Sequence, residues 1–77
     1  MITESDIKIE IQALNDAAAK YGKTYTYQMG KNNYIGLFDI QGDTYRPVYC
    51  ASTTAGFFAY VSLLKNIYRR NKKKDGD

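Results

Sequence analysis

Few side chains in this chain of 77 residues could carry out acid–base or metal chemistry. There is no histidine, and the one close carboxylate pair between the predicted helices is Asp39 and Asp43, in the stretch DIQGD. Two carboxylates around a glycine could hold a cation, but a calcium loop needs a longer run of oxygen ligands. Asp beside Gly is also common in hairpin turns. We therefore interpret the pair as turn residues and predict no metal site.

Cys50 is the other residue with reactive chemistry. It is the single cysteine, so it cannot form a disulfide within the chain, and no histidine is present to act as its base. Half-buried packing is the usual role of a lone cysteine. The glycines are too scattered to form a phosphate-binding loop. We predict a non-enzyme without catalytic residues, cofactors or a small-molecule substrate, located in the reducing cytoplasm.

Positive charge is concentrated at the C-terminal end of the chain. Residues 1–64 hold five basic and six acidic residues, whereas residues 65–77 hold six basic and two acidic ones. Basic side chains at such an end could bind the phosphates of nucleic acid. They would equally suit the negative end of a helix dipole and keep a small domain soluble. The candidate nucleic-acid-binding residues are Lys65, Arg69, Arg70, Lys72, Lys73 and Lys74.

Aromatic residues form the second candidate binding feature. Eight tyrosines and three phenylalanines make up 14% of the chain, more than so small a core readily encloses. Tyrosine is favoured at recognition surfaces because it offers a large contact area at a low entropy cost. Tyrosines also commonly surround a core with their hydroxyls in solvent. The candidate protein-binding residues are Tyr34, Phe38, Tyr45 and Tyr49.

The first element that would position these residues is a helix over residues 4–21. Thr3 can cap it, with Asp6 as the partner in a capping box. Gly22 follows as a left-handed C-terminal cap. One face of the helix is apolar, because hydrophobic residues recur every three or four positions, at Ile7, Ile11, Leu14, Ala18 and Tyr21.

Three strands should follow, at TYTYQM, YIGLFDI and TYRPVYC, joined by the turns GKNN and QGD. Turns this short imply an antiparallel meander. Pro47 lacks a backbone N–H, so the third strand should be an edge strand. Strand 2 is apolar on both faces, which leaves its inward side undecided. If Ile35 and Leu37 point inward together with Val48 and Cys50, the four candidate aromatic residues form an exposed patch.

A second helix is predicted to start after Ser52 or Thr53 and to end near Arg70, with an apolar stripe along one side. Residues 1–70 would be one α+β domain of order α-β-β-β-α, with both helices packed on one face of the three-stranded sheet. Residues 71–77 have the composition of a disordered tail. The longest apolar run, AGFFAYVSLL, is about half of a bilayer span, so no membrane partner is expected.

The element order and the length resemble the double-stranded-RNA-binding domain over almost the whole chain. That family carries a lysine cluster at the start of its second helix, where it meets phosphates. Here the second helix opens with STTAGFFAY, which is uncharged, and the first turn offers Lys31 alone. The resemblance is one of architecture, and it transfers no binding residue to this chain.

These features together predict a small domain that works by binding. Our first hypothesis is a protein-interaction module that docks on another protein, or on its own copy, through the tyrosines. The alternative is a nucleic-acid-binding module that uses the basic end. The two hypotheses place the working surface at different parts of the molecule.

Overall fold

Both helices and all three strands form in the predicted order. The computed structural model describes residues 1–75. Helix α1 is followed directly by a 3-10 turn over Ala19–Tyr21. The elements are α1 (Glu4–Ala18), β1 (Thr24–Met29), β2 (Ile35–Gln41), β3 (Thr44–Ala51) and α2 (Thr54–Asp75). This is the α+β fold expected from the sequence.

Helix α1 begins with the capping box that its first residues predict. The Asp6 backbone N–H donates to the Thr3 hydroxyl at 3.3 Å, and the Asp6 carboxylate accepts from the Thr3 N–H at 2.9 Å. These bonds satisfy donors that the first turn leaves free. At the other end, Gly22 takes a φ of 70°, a left-handed conformation that glycine adopts without strain.

The strands form one antiparallel sheet with β2 in the centre. Its order is β1-β2-β3, so β3 is an edge strand, as Pro47 predicts. Gly42 has a φ of 60° and opens the two-residue turn between β2 and β3. Only the first of the two turn residues has a positive φ, and hairpin turns of that type have glycine there, because their backbone matches the twist of the strands.

A β-bulge in β3 changes which side of the sheet its residues face. Leu37 pairs with Tyr49 but the next residue, Phe38, pairs with Pro47, so Val48 is an extra residue. One inserted residue reverses the alternation beyond it. The arrangement in which Val48 and Cys50 point inward together with Ile35 and Leu37 is therefore wrong, since Val48 and Cys50 are exposed.

The hydrophobic core lies between β2 and the two helices. Helix α1 packs against β1 and α2 packs against β3, and the two helices contact each other. The expected inward residues of β2, Ile35 and Leu37, are completely buried. The largest fully buried side chains are Ile7 and Leu14 of α1, Ile35 and Leu37 of β2, and Phe57 and Val61 of α2.

Tyr25 of β1 is held by both helices. The Asn15 amide donates to the Tyr25 carbonyl at 3.0 Å and accepts from the Tyr25 N–H at 2.7 Å, so α1 satisfies part of the free edge of β1. The Tyr25 hydroxyl lies 2.6 Å from that of Tyr68 in α2. Burial raises the pKa of Tyr25, and the hydrogen bond with Tyr68 raises it further, so the phenol stays neutral.

Helix α2 continues beyond its predicted end. It reaches Asp75, whereas the sequence predicts an end near Arg70 and a disordered tail over residues 71–77. The last two residues of that predicted tail lie outside the described residues. Within residues 1–75, no helix combines the length and the apolarity needed to cross a membrane.

Candidate protein-binding face

The side of the sheet that faces away from the helices is uncovered and uncharged. Side chains alternate along each strand, so the register assigns residues to this open face. It consists of Thr24, Thr26 and Gln28 from β1, Gly36, Phe38 and Ile40 from β2, and Tyr45, Pro47 and Cys50 from β3. None of these nine described residues is charged. We call this surface the open face.

Two of the four predicted aromatic residues, Phe38 and Tyr45, lie on the open face, and Tyr34 lies at its end. Tyr34 is 49% exposed and Tyr45 is 62% exposed. The Phe38 ring folds back over Gly36, where its Cε1 atom would come within 2.9 Å of a Cβ atom. Gly36 therefore makes room for the Phe38 ring, which lies over this part of β2.

Tyr49, the fourth predicted residue, lies on the opposite side of the sheet. Its ring stacks on Tyr60 of α2, with centroids 4.0 Å apart and planes 3° from parallel. The bulge at Val48 is the cause, because it moves Tyr49 to the same side as Leu37. The structure thus places three of the four aromatic residues along one face, with Tyr34 and Tyr45 at its opposite ends, and gives Tyr49 a packing partner of its own.

A hollow of about 210 Å³ opens at one end of this face. It lies where β2 begins, and its lining includes Met29, Tyr34, Gly36, Phe38 and Cys50. An engineered apolar cavity of about 150 Å³ can hold a benzene ring, so this hollow has room for one large apolar side chain. The sequence pattern did not reveal it. Gly36 within an apolar strand was the available signal, since such a glycine often marks a close approach.

Lys65, the first of the predicted basic residues, is used inside the fold. Its Nζ atom lies 2.6 Å from Oε2 of Glu10 in α1, and only 16% of its side chain is exposed. The Ser62 hydroxyl donates to the same carboxylate oxygen at 2.6 Å. Lys65 therefore joins the two helices, and its charge is already paired.

The remaining basic residues lie further along α2. Arg69 and Arg70 are exposed. Lys72, Lys73 and Lys74 fall within the helix, but their side chains are outside the described part of the chain. Of the six candidate nucleic-acid-binding residues, the structure therefore describes two as exposed basic side chains at this end, Arg69 and Arg70.

Asp39 and Asp43 do not form a joint site. Asp39 is buried on the helix side of the sheet, where Oδ2 lies 3.5 Å from an Arg46 nitrogen and 4.0 Å from Nζ of Lys23. Asp43 is exposed in the hairpin turn. Among the described residues, no group of three or more Cys, Asp or Glu side chains could hold a metal ion.

A second apolar surface lies on α2, on the side away from α1. Leu63 is 53% exposed and Ile67 is 41% exposed. They lie four residues apart, so they share one side of the helix. Unlike the open face, this surface carries a charged residue close by, because Arg70 follows Ile67 by three residues.

No protein-family model, curated protein or solved structure matches this chain. The resemblance to the double-stranded-RNA-binding domain accordingly rests on the order of the elements. What the chain does must be argued from its surfaces.

Proposed function

We propose that this chain is a protein-interaction module and that the open face is its working surface. The observation that carries the proposal is an uncovered, uncharged sheet face with exposed aromatic residues at both ends. The β2 and β3 residues of this face are mostly apolar, and exposed apolar patches on soluble proteins commonly mark interaction sites. The proposed role is binding in the cytoplasm, where the exposed thiol of Cys50 would stay reduced.

The composition of the open face supports a protein partner over a nucleic acid. The centres of protein interfaces are depleted of charge and enriched in Tyr, Phe and Met. Surfaces that bind nucleic acid need basic side chains to neutralise phosphates, even where aromatic side chains stack on the nucleobases. The nine residues of the open face supply the aromatic rings and no positive charge.

A photo-crosslinking amino acid tests this proposal. We expect p-benzoylphenylalanine at position 38 of the full chain, in cells that express it, to form a protein adduct of defined mass. The same group at position 63 is the control, because Leu63 is more exposed than the half-buried Phe38 and therefore more open to chance capture, but lies on α2. The reason for the difference is that a partner bound to the open face would cover Phe38 and leave Leu63 free.

Two outcomes would count against the proposal. No adduct from position 38 would mean that nothing covers the open face in the cell. Adducts of equal yield from positions 38 and 63 would mean that the reagent captures proteins without regard to the surface.

Nucleic-acid binding remains the second candidate function, on the observation that Arg69 and Arg70 are exposed near the end of α2. We propose it as a weaker alternative because Lys65 is paired with Glu10. Contacts of this kind would be independent of nucleic-acid sequence and sensitive to salt. This alternative leaves the open face without a role.

A further inference from the structure

We propose that the partner of the open face is a second copy of this chain, docked face to face and turned end for end. This inference rests on the proposed function and names its partner. In such a pair, a two-fold axis runs across the strands at the level of Phe38. The end of one open face then lies over the opposite end of the other.

The shape of the open face complements itself in this arrangement. The hollow lies at the level of Gly36, whereas the bulk of Tyr45 and Ile40 lies four residues further along β2. At about 3.3 Å per residue, the two features are roughly 13 Å apart. Turning one copy end for end places Tyr45 of each chain over the hollow of the other. A hollow of about 210 Å³ accommodates a phenol ring.

Charges at the two ends of the sheet favour the same orientation. The turn beside the hollow carries Lys31, and the hairpin turn beside Tyr45 carries Asp43; both residues are exposed. End-for-end docking brings Asp43 of each copy towards Lys31 of the other. A pair related by an axis along the strands would instead bring each of these residues towards its own equivalent, which is unfavourable.

The size of the face predicts a reversible dimer. Three strands about 4.8 Å apart, of six, seven and eight residues, outline roughly 300 Å² of surface per copy. Burying Tyr45 of each chain adds about 150 Å² or more per ring, for a total near 1,000 Å². That total is at the low end for specific interfaces, so association should be concentration-dependent in the micromolar range or weaker.

Analytical ultracentrifugation of the full chain over a range of concentrations tests the inference. We expect a monomer–dimer equilibrium. Tyr45→Ala, which removes the inserted ring, and Cys50→Phe, which fills the hollow, should each raise the dimer Kd by about tenfold or more. Leu63→Ala is the matched control, since it truncates an exposed apolar residue outside the open face and should leave the Kd unchanged.

A charge exchange tests the orientation. Lys31→Glu and Asp43→Lys should each weaken the dimer several-fold, because each places like charges across both ends of the interface. The double variant restores opposite charges and should return the Kd close to that of the original chain. A dimer Kd that is the same in both single variants and in the double variant as in the original chain would overturn the end-for-end arrangement.

The remaining outcomes separate this inference from the proposed function. A chain that stays monomeric at all concentrations overturns the second copy as partner, as does a dimer weakened only by Leu63→Ala. In that case, an adduct between position 38 and a different protein would leave the proposed function standing. An adduct of twice the chain mass supports both.

Discussion

Glu10 is the residue through which α1 is tied to α2. Burial raises the pKa of Glu10, but the hydrogen bonds from Lys65 and Ser62 and the charges of Lys65 and Arg69 outweigh burial and lower it below its ordinary value. A lowered pKa in the folded state means that the ionised carboxylate stabilises the fold. Glu10 and Lys65 therefore stabilise the packing of the helices, although the sequence had suggested that Lys65 binds the phosphates of nucleic acid.

The pairing can be tested by Lys65→Met, which keeps the aliphatic stem and removes the charge. We expect the free energy of unfolding at neutral pH to fall by about 2 kcal/mol, because Glu10 keeps only its bond from Ser62. Urea denaturation measures the loss. Lys8→Met is the control, since Lys8 is exposed on α1 and should tolerate the change.

The same network has a defined pH dependence. The stabilisation by Glu10 is complete above the ordinary carboxyl range and is lost as the pH falls through the lowered folded-state pKa. The difference in stability between the original chain and Glu10→Gln should therefore shrink on acidification. A difference that stays constant down to strongly acidic pH would show that the charge of Glu10 contributes nothing.

At the scale of elements, the sequence predicted the regular parts of the fold and missed one irregularity. Thr3 and Asp6, the residues of the capping box, predicted where α1 begins. The turn sequences predicted where the strands end. Pro47 is compatible with a bulge beside it, but it does not show that the inserted residue is Val48, because a bulge depends on how two strands pair. That one residue decides that Tyr49 stacks on Tyr60 and that Cys50 joins the open face.

For the candidate face too, the sequence predicted the regular part and missed the detail. Tyr34, Phe38 and Tyr45 follow from strand alternation once Ile35 and Leu37 are known to point inward. The hollow depends on how Phe38 folds over Gly36, which is a matter of side-chain packing. Gly36 in an apolar strand signals a close approach there, but the sequence pattern does not show which side chain makes it.

The hairpin between β2 and β3 depends on the left-handed backbone of Gly42. We expect Gly42→Ala to lower the free energy of unfolding by about 1 kcal/mol or more, because a side chain at φ 60° is strained. Gly30→Ala is the matched control. Its φ is −107°, and a Cβ atom there would meet its nearest neighbour at 3.7 Å, an ordinary contact. Thermal denaturation of both variants should show a loss of stability only for Gly42→Ala; equal losses would contradict the strain argument.

At the scale of the whole molecule, the domain has two layers. Its extents are 44 × 31 × 17 Å, and the shortest fits one sheet and one layer of helices. The fully buried core residues lie between Ile7 and Val61, and the half-buried Leu64 and Tyr68 of α2 still pack against them. A chain that ends at Arg70 therefore keeps all of these core residues.

A chain ending at Arg70 separates the two candidate functions. We expect its free energy of unfolding to change by less than about 0.5 kcal/mol and its dimerisation to persist. If the basic end binds nucleic acid, the full chain should bind duplex DNA or RNA at low salt, with a log–log slope of about −0.9 for each phosphate neutralised on B-DNA. The shortened chain should lose most of that affinity in fluorescence anisotropy. Unchanged affinity would exclude residues 71–77 as the binding element.

Pro47 and the bulge at Val48 lie side by side in the middle of β3, the edge strand beside α2. A long regular edge is a template on which further strands can add without limit, the route to fibrils. Here the missing N–H and the inserted residue interrupt the row of backbone groups that an added strand would need. Growth along the β3 edge is thus hindered, whereas the proposed face-to-face contact would end with one partner. The fold can expose apolar surface and still favour assemblies of finite size.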